Sequence, residues 1–171
     1  MKTTLEDLKS RRSIRSYRPE QIQPEELEAV LEAGSYAPTG MGMQSPVMVA
    51  LQDRETIAQL SRMNAAIMGS DGDPFYGAPT VIVVLADSSR PTCVEDGSLV
   101  MGNLMNAAHA LGLGSCWIHR AREEFQSAVG KALLKKWGLS DRYIGVGHCL
   151  LGYPAETPQA KPRKENYILR G

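Results

Sequence analysis

Near the start of the chain, Arg11-Arg12-Ser13-Ile14-Arg15 gathers three guanidinium groups and a hydroxyl within five residues. A guanidinium is a planar fork of N–H donors that meets phosphate oxygens with paired, charge-assisted hydrogen bonds. The segment is therefore a candidate anion site. The same residues also suit a solvated surface, because cations near a helix C-terminus complement its dipole. A second basic cluster, Lys161-Pro162-Arg163-Lys164, lies near the other end and alone reads as a basic tail. The ends of a compact domain often lie close together, so the two clusters can face one anion jointly.

A third candidate is the loop from Ala37 through Pro38, Thr39, Gly40 and Gln44 to Pro46. Its two glycines let the backbone approach a flat ligand, and Gln44 offers both donor and acceptor groups. An ordinary turn between a helix and a strand is the plainer reading. Asn103 interrupts an apolar helical stripe, where a structural hydrogen bond to a loop backbone is expected. Ser, Cys and His residues show no nucleophile–base order. Cys93, Cys116 and Cys149 form no CxxC pair and read as buried, reduced thiols. His109, His119 and His148 lack metal-ligand spacing, so no metal is expected.

These residues need elements to position them. Thr3 to Glu6 fits a capping box, with a short helix after it that turns Leu5 and Leu8 inward and ends near Ser10. Pro24 suits the first position of a helix that runs to Gly34. Val47 to Leu51 reads as a strand and Glu55 to Arg62 as a helix. The segment from Met68 to Pro79, with three glycines and two prolines, reads as a mobile loop. Thr80 to Ala86 is a continuous β-branched and aliphatic run, the pattern of a buried strand. Asp96 to Leu111 is the longest expected helix, with Leu99, Val100, Asn103, Leu104, Ala107, Ala108 and Leu111 inward. Ser115 to Ile118 and Tyr143 to Leu151 read as strands, Glu123 to Lys136 as one amphipathic helix, and Asn166 to Arg170 as a last strand. No G-x-G-x-x-G follows a strand and no P-loop occurs, so a bound nucleotide must hold its phosphate another way.

The 171 residues suit a single domain spanning 1–171, and 43% are hydrophobic, enough for a core. Lys plus Arg number 19 and Asp plus Glu 19, for a net charge of zero, which argues against nucleic acid or an anionic membrane as partner. No stretch approaches the roughly 18 apolar residues of a membrane span. The polar N-terminus lacks a signal-peptide core, so a cytoplasmic location is expected.

The ordered set of motifs resembles the nitroreductase family of FMN-dependent NAD(P)H oxidoreductases. It comprises Arg11 through Tyr17, Ala37-Pro38-Thr39-Gly40 with Gln44, Gly77-Ala78-Pro79 before a hydrophobic strand, the run from Asn103 through Trp117, Gly152-Tyr153-Pro154, and the closing Lys-Pro-Arg-Lys. The resemblance implies an α+β fold with a mixed central sheet flanked by helices. It also implies an intertwined homodimer with FMN at the interface. Arg11, Arg12, Ser13 and Arg15 match the segment that holds the phosphate and ribityl chain, and Lys161 and Arg163 the pair that completes the phosphate site. Pro38, Thr39, Gly40 and Gln44 match a loop supplied by the other subunit. His119 and Arg120 match the segment whose backbone N–H faces flavin N5, and Asn64 lies where a flavin-ring ligand occurs.

No catalytic acid or base is implied. The implied activity passes hydride from NAD(P)H through FMN to a small acceptor such as a nitro compound or quinone, in ping-pong order. The alternatives are a non-catalytic flavin-binding sensor or carrier, and a redox-inactive interaction module. Gly42 stands where many members have Asn, Ser45-Pro46 where many have an aromatic, and a long insertion that often covers the substrate site is missing.

Overall fold

The computed structural model describes residues 4–171. β2 (Thr80–Asp87) runs through its centre. On its two sides lie β1 (Pro46–Leu51) and β4 (Tyr143–Gly152), and β3 (Gly114–Ile118) adds outside β4, for the order β1-β2-β4-β3. The α+β expectation holds. All three strand pairings are antiparallel. The mixed character expected of the sheet reduces to one isolated parallel bridge, Ser13 to Ser115.

The apolar run in β2 is explained by helices on both faces of the sheet. Ile82, Val84 and Ala86 point one way and pack with Val30 of α2 (Pro24–Ser35) and with Met101 and Leu104 of α4 (Cys93–Ala110). Val81, Val83 and Leu85 point the other way, against Leu60 of α3 (Arg54–Met68), Phe125 of α5 (Ala121–Gln126) and Leu134 of α6 (Ala128–Lys136). With both faces covered, a strand alternates direction without alternating polarity. Pro24 does open α2, and the Gln23 N–H donates to the Glu26 carboxylate at 2.8 Å.

Several expectations change. The short first helix, α1 (Thr4–Ser10), ends as expected, but Leu5 and Leu8 are exposed rather than inward, and its Thr3 cap lies outside the described residues. The inward stripe of α4 is rotated: Val100, Leu104 and Ala108 are buried together with Gly97 and Met101, whereas Leu99 and Leu111 face out. α3 runs past Arg62 to Met68, because the left-handed Gly69 stops it only there. The single helix expected over 123–136 is two, split at Ser127, whose hydroxyl caps α6 by accepting from Gly130 N at 3.0 Å. The 68–79 segment is pinned rather than loose. The Asp73 carboxylate accepts from Ser61 Oγ at 2.5 Å, Phe75 N at 2.9 Å and Gly77 N at 2.7 Å, and Phe75 is buried. Residues 166–170 form turn and coil instead of a strand, and their side chains are exposed.

Candidate functional site

The basic segment after α1 threads along the outer edge of β3. Ile14 N donates to Ser115 O at 2.9 Å, and Ser13 bridges Ser115. This places Arg11 and Arg12 at a groove of about 230 Å³ whose other wall includes Pro154, Thr157 and Pro158. The arginine segment thus meets residues 154–158, while the second basic cluster, 161–164, does not line this groove. Arg12 Nη1 donates to Lys9 O at 2.8 Å and Arg11 O at 2.7 Å, so that guanidinium is anchored at the end of α1. Arg11 differs: its Nη1 is buried and has no hydrogen-bond partner among the described residues. A buried donor on a permanent cation is expensive to leave unpaired. Arg15 N–H donates to the Glu156 carboxylate at the rim of this groove, and the Arg15 side chain is exposed. Lys161 and Arg163 are exposed, three and five residues beyond Pro158.

The Cys116 thiol lies beneath this segment, buried. Burial raises the Cys116 pKa, only partly offset by Arg15, the Ser13 hydrogen bond and Arg11. Burial pushes the Cys149 thiol up to about 12. All three cysteines are free and buried, as the sequence implied. Burial likewise raises the Tyr17 pKa, and its hydroxyl donates to Ile14 O at 2.7 Å.

The loop carrying Pro38, Thr39, Gly40 and Gln44 lies elsewhere, around a separate groove it shares with Tyr36 and Gly42. Within one chain the two grooves share no lining residue. Met41 and Gln44 hold positive φ angles of 53° and 49°, a region that costs a non-glycine residue energy. The strain is held by Asp96, which is 3% exposed. Its carboxylate accepts from Gly40 N at 2.9 Å, Thr92 Oγ1 at 3.1 Å and Ser45 Oγ at 3.4 Å. A Cβ on Gly40 would lie 2.4 Å from Thr92 Oγ1, so any other residue there would displace that hydroxyl from Asp96. Asn103 Nδ2 donates to Ala33 O at 3.0 Å, the expected structural bond, which here closes on α2 rather than on a loop.

β3 ends at Ile118 and leads into His119, which is exposed, and Arg120, whose φ is 76°. Asn64 is fully buried beneath this turn. Its Nδ2 donates to His119 O at 2.7 Å and to the Glu124 carboxylate, whose other oxygen lies 2.9 Å from His148 Nε2. Asp96, Glu124 and His148 were not among the residues chosen from the sequence. Glu124 sits in an amphipathic pattern where Glu normally faces water, and its partner is 24 positions away. No local signal marks such a pair. A further groove of about 430 Å³, lined by Ile57, Phe75 and Pro79, holds none of the candidate cofactor-binding residues.

An antiparallel sheet between two helical layers, with an arginine segment laid along its edge, defines a nitroreductase-type α+β domain. The nitroreductase family model matches residues 8–71 and 65–153, and the chain belongs to that family. It is 33% identical over 162 residues to an Archaeoglobus fulgidus protein provisionally named NADH dehydrogenase/NAD(P)H nitroreductase, covering 91% of this chain and 88% of the relative. It is 25% identical over 186 residues to an FMN reductase [NAD(P)H] of Bacillus subtilis, covering 95% of this chain and 70% of the relative. Among solved structures, a Bacteroides fragilis nitroreductase with bound FMN superposes with a TM-score of 0.90 at 28% identity over the whole of both chains. A Desulfitobacterium hafniense nitroreductase with bound FMN gives 0.89 at 25% identity, covering 100% of this chain and 99% of that one.

Proposed function

We propose that this chain is an FMN-dependent NAD(P)H oxidoreductase that works as a homodimer and delivers electrons to a small acceptor such as a nitro compound or quinone. The observation that carries the reading is Arg11 Nη1, a buried cationic donor without a partner, at the groove where the arginine segment meets residues 154–158. A phosphate there satisfies it, so the residues present fit FMN. Arg11 and Arg12 would hold the phosphate, with Ser13 and Arg15 beside it. Lys161 and Arg163 would close over it from the C-terminal segment. When bound, FMN supplies the two-electron redox chemistry, as cofactors do in general.

The chain's own residues bind, orient and shield. Arg120 would offer its backbone N–H to the ring, and His119 stands exposed beside it. The loop at Pro38, Thr39, Gly40 and Gln44, held in shape by Asp96, would serve the ring of the partner subunit. Two features support that assembly. The loop's groove and the phosphate groove are separate within one chain. Leu5 and Leu8 of α1, Leu99 of α4 and Leu111 just beyond its end are exposed, and apolar side chains on these two packed helices would suit a subunit contact. With no second nucleotide fold in the sequence, nicotinamide and acceptor would take turns in one space, giving ping-pong kinetics.

Steady-state rates at varied NAD(P)H and acceptor test this directly. Parallel double-reciprocal lines are expected. FMN uptake without turnover would favour the sensor or carrier reading, and no FMN uptake would remove the proposal.

A further inference from the structure

We infer that Asn64 is a positioning residue: by gripping the His119 carbonyl it aims the Arg120 backbone N–H out of the core, toward the cofactor ring. The inference rests on the FMN reading above. Asn64 sits inside α3, fully buried, where an apolar residue would be the ordinary choice. The two N–H bonds of its amide are both used, one on His119 O at 2.7 Å and one on the Glu124 carboxylate. This fixes the sense of the amide, since the reverse orientation would set Oδ1 against two acceptors. Glu124 is held in turn by His148 on β4.

The network does not close. Asn64 Oδ1 and His148 Nδ1 are both buried without partners among the described residues. A buried polar network with unpaired atoms is no better for stability than an apolar core. Its geometric consequence is at the next peptide. The His119–Arg120 peptide is trans, as are all the others described. In a trans peptide the C=O and N–H point in opposite directions. A carbonyl turned into the core therefore turns the Arg120 N–H away from it.

Two further features hold that peptide in place. Arg120 sits at φ 76° and ψ 4°, a left-handed conformation that a non-glycine side chain keeps only when its surroundings enforce it. The neighbouring Ala121 carbonyl lies against β4 so closely that a Cβ on Gly145 would come within 2.3 Å of its oxygen. β4 thus forms one wall, and Asn64 with Glu124 forms the other.

The test reads amide hydrogen exchange at Arg120 and the flavin midpoint potential on the FMN-loaded protein, with thermal stability measured in parallel. In the wild type, FMN should protect the Arg120 amide about tenfold or more, the size of one added hydrogen bond. Asn64→Ala should still take up FMN through the phosphate groove, lose most of that protection and shift the midpoint potential. Glu124→Gln keeps the side-chain shape but weakens the hold on Asn64. It should show the same changes in part, and it serves as the readout if Asn64→Ala does not fold. Failure of the wild type to take up FMN would count against the functional reading itself. A wild type that binds FMN without protecting Arg120 would overturn the inference. So would folded variants with wild-type protection and potential but a lowered melting temperature, which would mark a purely structural role.

Discussion

Replacing Arg11 with Met should move two properties in opposite directions. In the unliganded protein Nη1 is buried and unpaired, a situation that costs about 1–3 kcal/mol. Met keeps most of the side-chain volume and removes the stranded donor. The melting temperature of the apo protein should therefore hold or rise. FMN binding should weaken instead. A hydrogen bond to a charged group contributes roughly 1.5–3 kcal/mol, which is about 12-fold to 150-fold in Kd. Riboflavin lacks the phosphate, so its affinity should change by no more than about threefold, or about 0.6 kcal/mol. Fluorescence titration of FMN and riboflavin into wild-type and Arg11→Met protein gives all four constants, and calorimetry of the apo forms gives the stability. Equal losses for both flavins would refute the reasoning, because the Arg11 groove would not then be a phosphate site. So would a marked fall in apo stability, since Arg11 would then have a structural partner.

Glu124→Ala leaves Asn64 Nδ2 and His148 Nε2 facing a hole, and stranding buried polar groups costs about 1–3 kcal/mol each, so urea unfolding should show a clear loss of stability. Asp96→Ala releases Gly40, Thr92 and Ser45, so limited proteolysis should cut near Met41, FMN should dissociate faster and the melting temperature should fall. The Cys149 pKa is raised from 9.0 to about 12 by burial, so the folded state resists forming the thiolate that the unfolded chain forms readily. Its contribution to stability is intact below pH 9 and is lost progressively between about 9 and 12. Cys149→Ala should accordingly flatten the alkaline limb of a stability–pH curve, and iodoacetamide should leave native Cys149 unmodified at pH 8.

Much of the architecture was legible because it depends on local pattern. The aliphatic run of Thr80–Asp87 and the proline at the start of α2 each act within a few residues. The misplaced parts depend on distant contacts. The stripe on α4 was taken one step out of phase because its glycine face, at Gly97, is the one that approaches the sheet, where a Cβ would lie 2.6 Å from Val146. Leu5 and Leu8 look like core positions by spacing, and they lie exposed on the single chain. Ser127 splits a helix whose amphipathic period continues across the break, so periodicity could not reveal it. The arginine segment stands out as a candidate anion site from residue type alone. Its unpaired Nη1 was not, since pairing is a property of the packed chain. The Asn64–Glu124–His148 network was hidden for the same reason: it joins α3, α5 and β4, and each member looks unremarkable in its own segment.

The most direct test of the central claim is anaerobic single turnover. FMN-loaded protein is mixed with NADH or NADPH, the flavin absorbance is followed, and a nitroarene or quinone is then added. The account predicts rapid bleaching by at least one nicotinamide and recovery of the yellow colour on adding the acceptor, with the bleaching phase retained to within about tenfold, or about 1.4 kcal/mol of barrier, in His119→Ala. Protein that binds FMN stoichiometrically yet is bleached by neither nicotinamide would contradict it.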